Sequence, residues 1–119
     1  MKTIADIIGM LYQELLSVCE QRGIALGLDI QHPSVRIPEK KLQNVYDFLQ
    51  SQIERALQDC DDGDHIMISE SMTADDIVLT IKNSGRTLTA ESKLKMNKMG
   101  YEVRARYGYD TAVSLKIAY

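Results

Sequence analysis

Three groups of residues in this chain are of types that could do chemistry. The first is the turn Asn83-Ser84-Gly85, which ends a strand-like run and leads through Thr87 into a short polar helix. Such a turn could sit beneath a nucleotide, or it could be an ordinary strand exit, since asparagine, serine and glycine are also what simple turns require. The second is the acidic stretch "DCDDGD", residues 59–64. It has neither the ladder of oxygen-bearing residues before its glycine nor the closing glutamate of an EF-hand calcium loop, so it reads as a solvated linker. The third is the set of sulfur and imidazole groups, Cys19, Cys60, His32 and His65. Their spacing matches neither a zinc site nor a disulfide framework. Cys19 falls on the apolar face of a helix, and each histidine reads as a surface or strand-edge residue. Two reduced thiols fit a cytoplasmic protein.

The elements that must position these groups are legible as periodicities. Ile4, Ile7, Ile8, Leu11, Leu15, Val18 and Cys19 recur at spacings of three and four, which predicts an amphipathic helix over residues 3–22, stopped by Gly23. "IALGLDI" then alternates as a strand, with Ile24, Leu26, Leu28 and Ile30 on one face. Pro38 suits the first turn of a second helix, whose stripe is Leu42, Val45, Tyr46, Leu49, Ile53, Ala56 and Leu57. "HIMISES" and "DDIVLTIKN" form two antiparallel strands, "TAESKLKMNKM" a short helix stopped by Gly100, and "YEVRARY", "GYD" and "TAVSLKIAY" a terminal hairpin. The order α-β-α-β-β-α-β-β predicts an α/β (α+β) two-layer sandwich: a five-stranded mixed, mainly antiparallel sheet with three helices on one face. At 119 residues the chain reads as a single domain, residues 1–119, large enough for a core without disulfides or metal.

Composition excludes several classes of function. Apolar residues make up 45% of the chain and charged residues 26%, with a formal charge of −3. An acidic protein whose one basic strip is Arg104 and Arg106 has no footprint for nucleic acid. The N-terminal helix is interrupted by Asp6, Gln13 and Glu14, so it is neither a signal peptide nor a membrane span. The expectation is a cytoplasmic protein with no direct membrane contact. Met10, Tyr12 and Leu16 widen the apolar surface of the first helix. That surface serves either a homodimer through this helix or a broader buried face.

With these residues at its joints, the element order resembles the ATP-binding catalytic domain of sensor histidine kinases, in the wider GHKL family that includes gyrase and MutL. The likeness covers nearly the whole chain. "LLSVCEQRGIALGLDI" is similar to the family's opening helix and first strand, and "VRIPEKKLQNVYDFLQSQIERAL" to its second helix. "GDHIMISESMTADDIVLTIKNSGRT" is similar to the next two strands and the first glycine motif, and "KLKMNKMGYEVRARYGYDTAVSLKIAY" to the closing helix and hairpin.

The resemblance assigns positions, and at most of them this chain departs. Ser51 stands where the family has its metal-ligating asparagine, and Asp47 one turn earlier could hold water or a magnesium ion, a hard cation that wants oxygen ligands. Gln52 replaces a small residue, and Arg55 could meet a phosphate or be a solvated charge. Asn83 replaces the aspartate that accepts the adenine amino group, so the acceptor loses its charge. Gly85 matches the first glycine and Thr87 replaces the second. Fourteen residues separate Gly85 from Gly100, too few for the family's flexible lid and second glycine motif. The resemblance therefore implies a degenerate domain: no catalytic residue, no expected cofactor, and a binding or scaffolding role towards a signalling partner, a receiver or a kinase-type helix. Two alternatives remain. One is an active ATP-binding kinase domain with a minimal site, in which ATP and magnesium are held by Asp47, Ser51, Arg55, Asn83, Gly85 and Thr87. The other is a phosphotransfer protein on the same fold.

Overall fold

The computed structural model describes residues 2–105 and 110–118. α1 (Ile4–Arg22) opens on a capping box in which Thr3 and Asp6 satisfy each other's backbone N–H groups. It closes on Gly23, whose φ of 69° is the left-handed conformation that a helix C-terminus favours. β1 (Ala25–Ile30) follows, then a loop that Ile37 anchors in the core. Pro38 leads into a single 3-10 turn, Glu39–Lys41, so α2 (Leu42–Asp59) starts one turn later than the proline suggests. β2 (His65–Met72) and β3 (Asp76–Asn83) form a hairpin. α3 (Ala90–Lys98), capped by Thr89, precedes β4 (Glu102–Arg104) and β5 (Thr111–Ala118).

The five strands make an open mixed sheet in the order β1-β2-β3-β5-β4. Only β1 and β2 pair in parallel; the other three pairings are antiparallel. Alternation settles which face is covered. Ile66, Ile68, Ile77, Leu79, Ile81 and Val113 are fully buried, while their neighbours Ser69, Thr80, Lys82 and Ser114 lie on the other face, where Thr80 and Ser114 share a 2.8 Å hydrogen bond. α1 packs against β1, α2 against β3 and β5, and α3 against β4. The expected two-layer sandwich and its element order are both present.

Details differ from the sequence pattern. Val18, on the expected stripe of α1, is exposed, and Leu28 of the edge strand β1 is exposed as well. Phe48, which the expected stripe of α2 omits, is fully buried and meets Tyr101 edge-on, with ring centroids 4.9 Å apart. β4 is observed over Glu102–Arg104. Arg106, Tyr107 and the start of the "GYD" turn lie outside the described residues. Among the described residues no helix is long and apolar enough to cross a membrane.

Candidate functional site

α2 turns one apolar face to the sheet, and a polar stripe runs along its flank at intervals of four: Asp47, Ser51 and Arg55. The structure divides that stripe. Asp47 and Ser51 line an open cleft of about 310 Å³, together with Gln50, Glu54, Met99 and Tyr101. Arg55 faces the end of β3 instead.

At that end the guanidinium is nearly enclosed, its side chain only 12% exposed. Its Nε donates to Gln52 Oε1 at 2.8 Å, and its Nη1 donates to Asp59 Oδ2 at 3.2 Å and to Asn83 Oδ1 at 3.0 Å. Gln52, too large for a position where a small residue was expected, thus becomes a buried acceptor for Arg55. Nη2 is buried and has no hydrogen-bond partner among the described residues. Burial pulls the Arg55 pKa below its ordinary value, and the Asp59 carboxylate works against that shift.

Asn83 is the last residue of β3 and is buried. Both ends of its carboxamide are engaged: the oxygen by Arg55, and the nitrogen by the Ser84 carbonyl at 2.7 Å. Beyond it the chain folds tightly onto the end of α2. Gly85 has φ 104°, and a Cβ there would drive into the Asp59 carbonyl oxygen. The Arg86 N–H donates to that same oxygen at 2.9 Å. Glycine is required here both by the dihedral and by the close approach of two backbones.

The acidic stretch joins this clasp at Cys60 and Asp64, while Asp61, Asp62 and Gly63 between them are exposed, as expected of a solvated linker. Asp64 accepts from the Asp61 N–H at 2.7 Å and from Ser84 Oγ at 2.9 Å, and Ser84 Oγ accepts from the His65 N–H at 2.9 Å. These bonds hold the Asp64 carboxyl below the usual carboxylate range, the Asp61 N–H foremost. Cys60 is wholly buried, with its thiol 3.4 Å from the Ser84 carbonyl oxygen. Burial, reinforced by the neighbouring Asp64 and Asp59 charges, pushes that thiol up to about 11.

The six residues assigned by resemblance therefore fall into four settings. Asp47 and Ser51 share the cleft, Arg55 bonds Asn83, Gly85 seals the turn onto α2, and Thr87 is exposed and lines neither cavity. In the cleft, Asp47 accepts from Gln43 Nε2 at 2.8 Å, and Ser51 donates to the Phe48 carbonyl at 3.2 Å. Their remaining oxygen lone pairs are of the kind a hard cation takes, but among the described residues no group of three or more His, Cys, Asp or Glu could hold a metal ion. Among the described residues, no lysine or arginine lines the cleft to meet a phosphate.

Both histidines are tied to carboxylates. Glu70, buried on the covered face of β2, accepts from the His32 backbone N–H at 2.6 Å and lies 2.8 Å from His32 Nδ1. His65 Nε2 lies 2.8 Å from Asp110 Oδ2. The Glu70 contact spans 38 residues, and no local spacing signals it.

The fold is that of histidine kinase catalytic domains. The catalytic domain of histidine kinase ThkA matches with a TM-score of 0.80 at 12% identity, over 98% of this chain and 92% of that one. The blue-light activated histidine kinase EL346 of Erythrobacter litoralis matches at 0.75 and 13% identity, over 98% of this chain but only 42% of that one. Acinetobacter baumannii AdeS matches at 0.73 and 14% identity, over 98% and 65%. ThkA solved in complex with the response regulator protein TrrA matches at 0.77 and 12% identity, over 98% and 40%. No protein-family model and no curated protein matches the sequence. At such identities the likeness carries the fold alone.

Proposed function

We propose that this chain is a histidine-kinase-type domain that keeps the fold and has given up nucleotide chemistry, working as a cytoplasmic binding module in two-component-type signalling. The observation that carries this reading is the contact between Arg55 and Asn83. The residue that stands in the adenine-accepting position is filled from within by a guanidinium of the same domain. An adenine amino group seeking that oxygen would have to displace a charge-assisted hydrogen bond in a buried corner, at a cost of about 1–3 kcal/mol before any gain.

Two further features support it. The Gly85–Asp59 packing closes the space between the turn and α2. The cleft holding Asp47 and Ser51 is acidic, so a triphosphate entering it meets repulsion and finds no cationic side chain among the described lining residues. Phosphoryl transfer rests on positioning and charge stabilisation, and neither is supplied here for the phosphates. The ThkA–TrrA complex makes a receiver the natural class of partner to test first.

The paired oxygens of Asp47 and Ser51 favour one rival reading, a minimal ATP site. Calorimetry separates the two. The proposal expects no magnesium-dependent ATP binding by the wild type, and none by Asn83→Asp, because the restored carboxylate pairs with Arg55. Micromolar, magnesium-dependent binding that strengthens in Asn83→Asp would sink it.

A further inference from the structure

α1 and α2 both lie over the covered face of the sheet, but each packs on different strands, and a groove of about 490 Å³ separates them. Leu11 and Leu15 line it from one helix, Leu49 and Ile53 from the other. Large apolar side chains also stand at its mouth: Met10 is 59% exposed and Tyr46 38%. From Tyr46 to Leu57, the α2 wall runs about 16 Å, roughly three helical turns.

The rim is charged in one sense. Glu14 and Glu54 flank the groove, and neither has an ion-pair partner among the described residues. Glu54 and Gln50 also line the neighbouring cleft, which adds Asp47, so groove and cleft form one continuous surface, apolar along its length and acidic at its edge. A carboxylate pair left without cations beside exposed methionine and tyrosine is complementary to a basic, amphipathic ligand.

We propose that this surface docks an amphipathic helix of a partner protein, presenting an apolar stripe to the groove and a lysine or arginine on its flank to Glu54 and Asp47. The inference rests on reading the chain as a signalling module and deepens it by naming the surface and the chemistry of its occupant. A second copy of the chain fits less well. Its α1 carries three acidic residues against one basic, which sets like charges against the rim. Its α3 is basic, but the exposed Leu94 and Met99 lie about 140° apart around the helix and form no stripe. Helix-in-groove recognition needs anchors on one face.

The test uses two fluorescein-labelled 16-residue designed helices, identical except that lysine flanks the leucine stripe in one and glutamate in the other. Anisotropy titrations against the wild-type protein should show the lysine helix binding at least about tenfold more tightly, with a gap that narrows in high salt. Met10→Glu should abolish binding. The double variant Glu14→Lys, Glu54→Lys should reverse the preference, a gain that misfolding cannot imitate. Equal affinity for both helices, or an unchanged preference in the double variant, overturns the proposal. So does a concentration-dependent dimer that Met10→Glu dissociates, because the groove is then a self-interface. The calorimetric test reads separately: ATP binding with intact helix docking removes the loss of nucleotide chemistry but leaves the docking surface. No helix binding with no ATP binding does the reverse.

Discussion

Two sides of the polar flank of α2 behave in opposite ways. Near its C-terminus, Arg55, Asp59 and Cys60 are locked to the Asn83–Arg86 turn by side-chain and backbone hydrogen bonds. On the side turned away from that corner, Asp47, two turns before Arg55, and Glu54, its immediate neighbour, face an open cleft and groove with no cationic side chain among the described lining residues. Both stretches are rich in polar groups, so polarity does not distinguish them. What differs is whether the partner comes from the same chain. Groups that satisfy one another offer little to a ligand, whereas groups left facing outward keep their whole interaction energy for one.

Each side of that contrast can be broken separately. The largest effect belongs to the closed end. Gly85→Ala combines a positive φ with a collision at the Asp59 carbonyl, and should cost about 3 kcal/mol in urea denaturation. A loss below about 1 kcal/mol would mean that the turn is not pinned to α2. A smaller effect appears with pH. Cys60 holds its proton to about 11, against an ordinary thiol value of 9.0. Between these values the unfolded thiol ionises first and the unfolded chain binds fewer protons, so stability falls as pH rises. The contribution is intact below pH 9.0 and decreases by on the order of 2 kcal/mol across the window. Comparing the pH profile of wild type with that of Cys60→Ala isolates it; parallel profiles would place the thiol in contact with solvent. The smallest effect belongs to the open side. Met10→Glu and Glu54→Lys should each move stability by no more than about 0.5 kcal/mol, since both side chains are exposed. A thermal shift beyond that range would make the groove part of the fold's own support.

Much of the scaffold was legible because periodicity reports which face of an element is covered. Ile4, Ile7, Ile8, Leu15 and Cys19 recur at helical spacing and are all buried. The strand alternation in "HIMIS" and "IVLTI" likewise gives the face that meets the helices. Val18 and Phe48 show the limit of that reasoning. Val18 lies at the edge of its stripe and stays 40% exposed, while Phe48 sits between Val45 and Leu49 at helical spacing and could have been read as core. The site was less legible. From the sequence, Arg55 could serve a phosphate or solvent equally well; its partner proves to be Asn83, 28 residues away. Cys60, amid aspartates, gave no sign of burial.

The sequence by itself determined the order of elements, the faces they cover and the short fourteen-residue interval between Gly85 and Gly100. Those are local properties, set by dihedral preference and by the spacing of apolar side chains. Only the tertiary structure decided that Arg55 closes on Asn83, that Glu70 holds His32, and that the acidic flank of α2 borders an apolar groove. Each of these joins residues from separate elements, and their meeting depends on how helices and sheet pack. The turn at the end of β3 is bound from within: the Asn83 carboxamide oxygen is taken by Arg55 of the same domain.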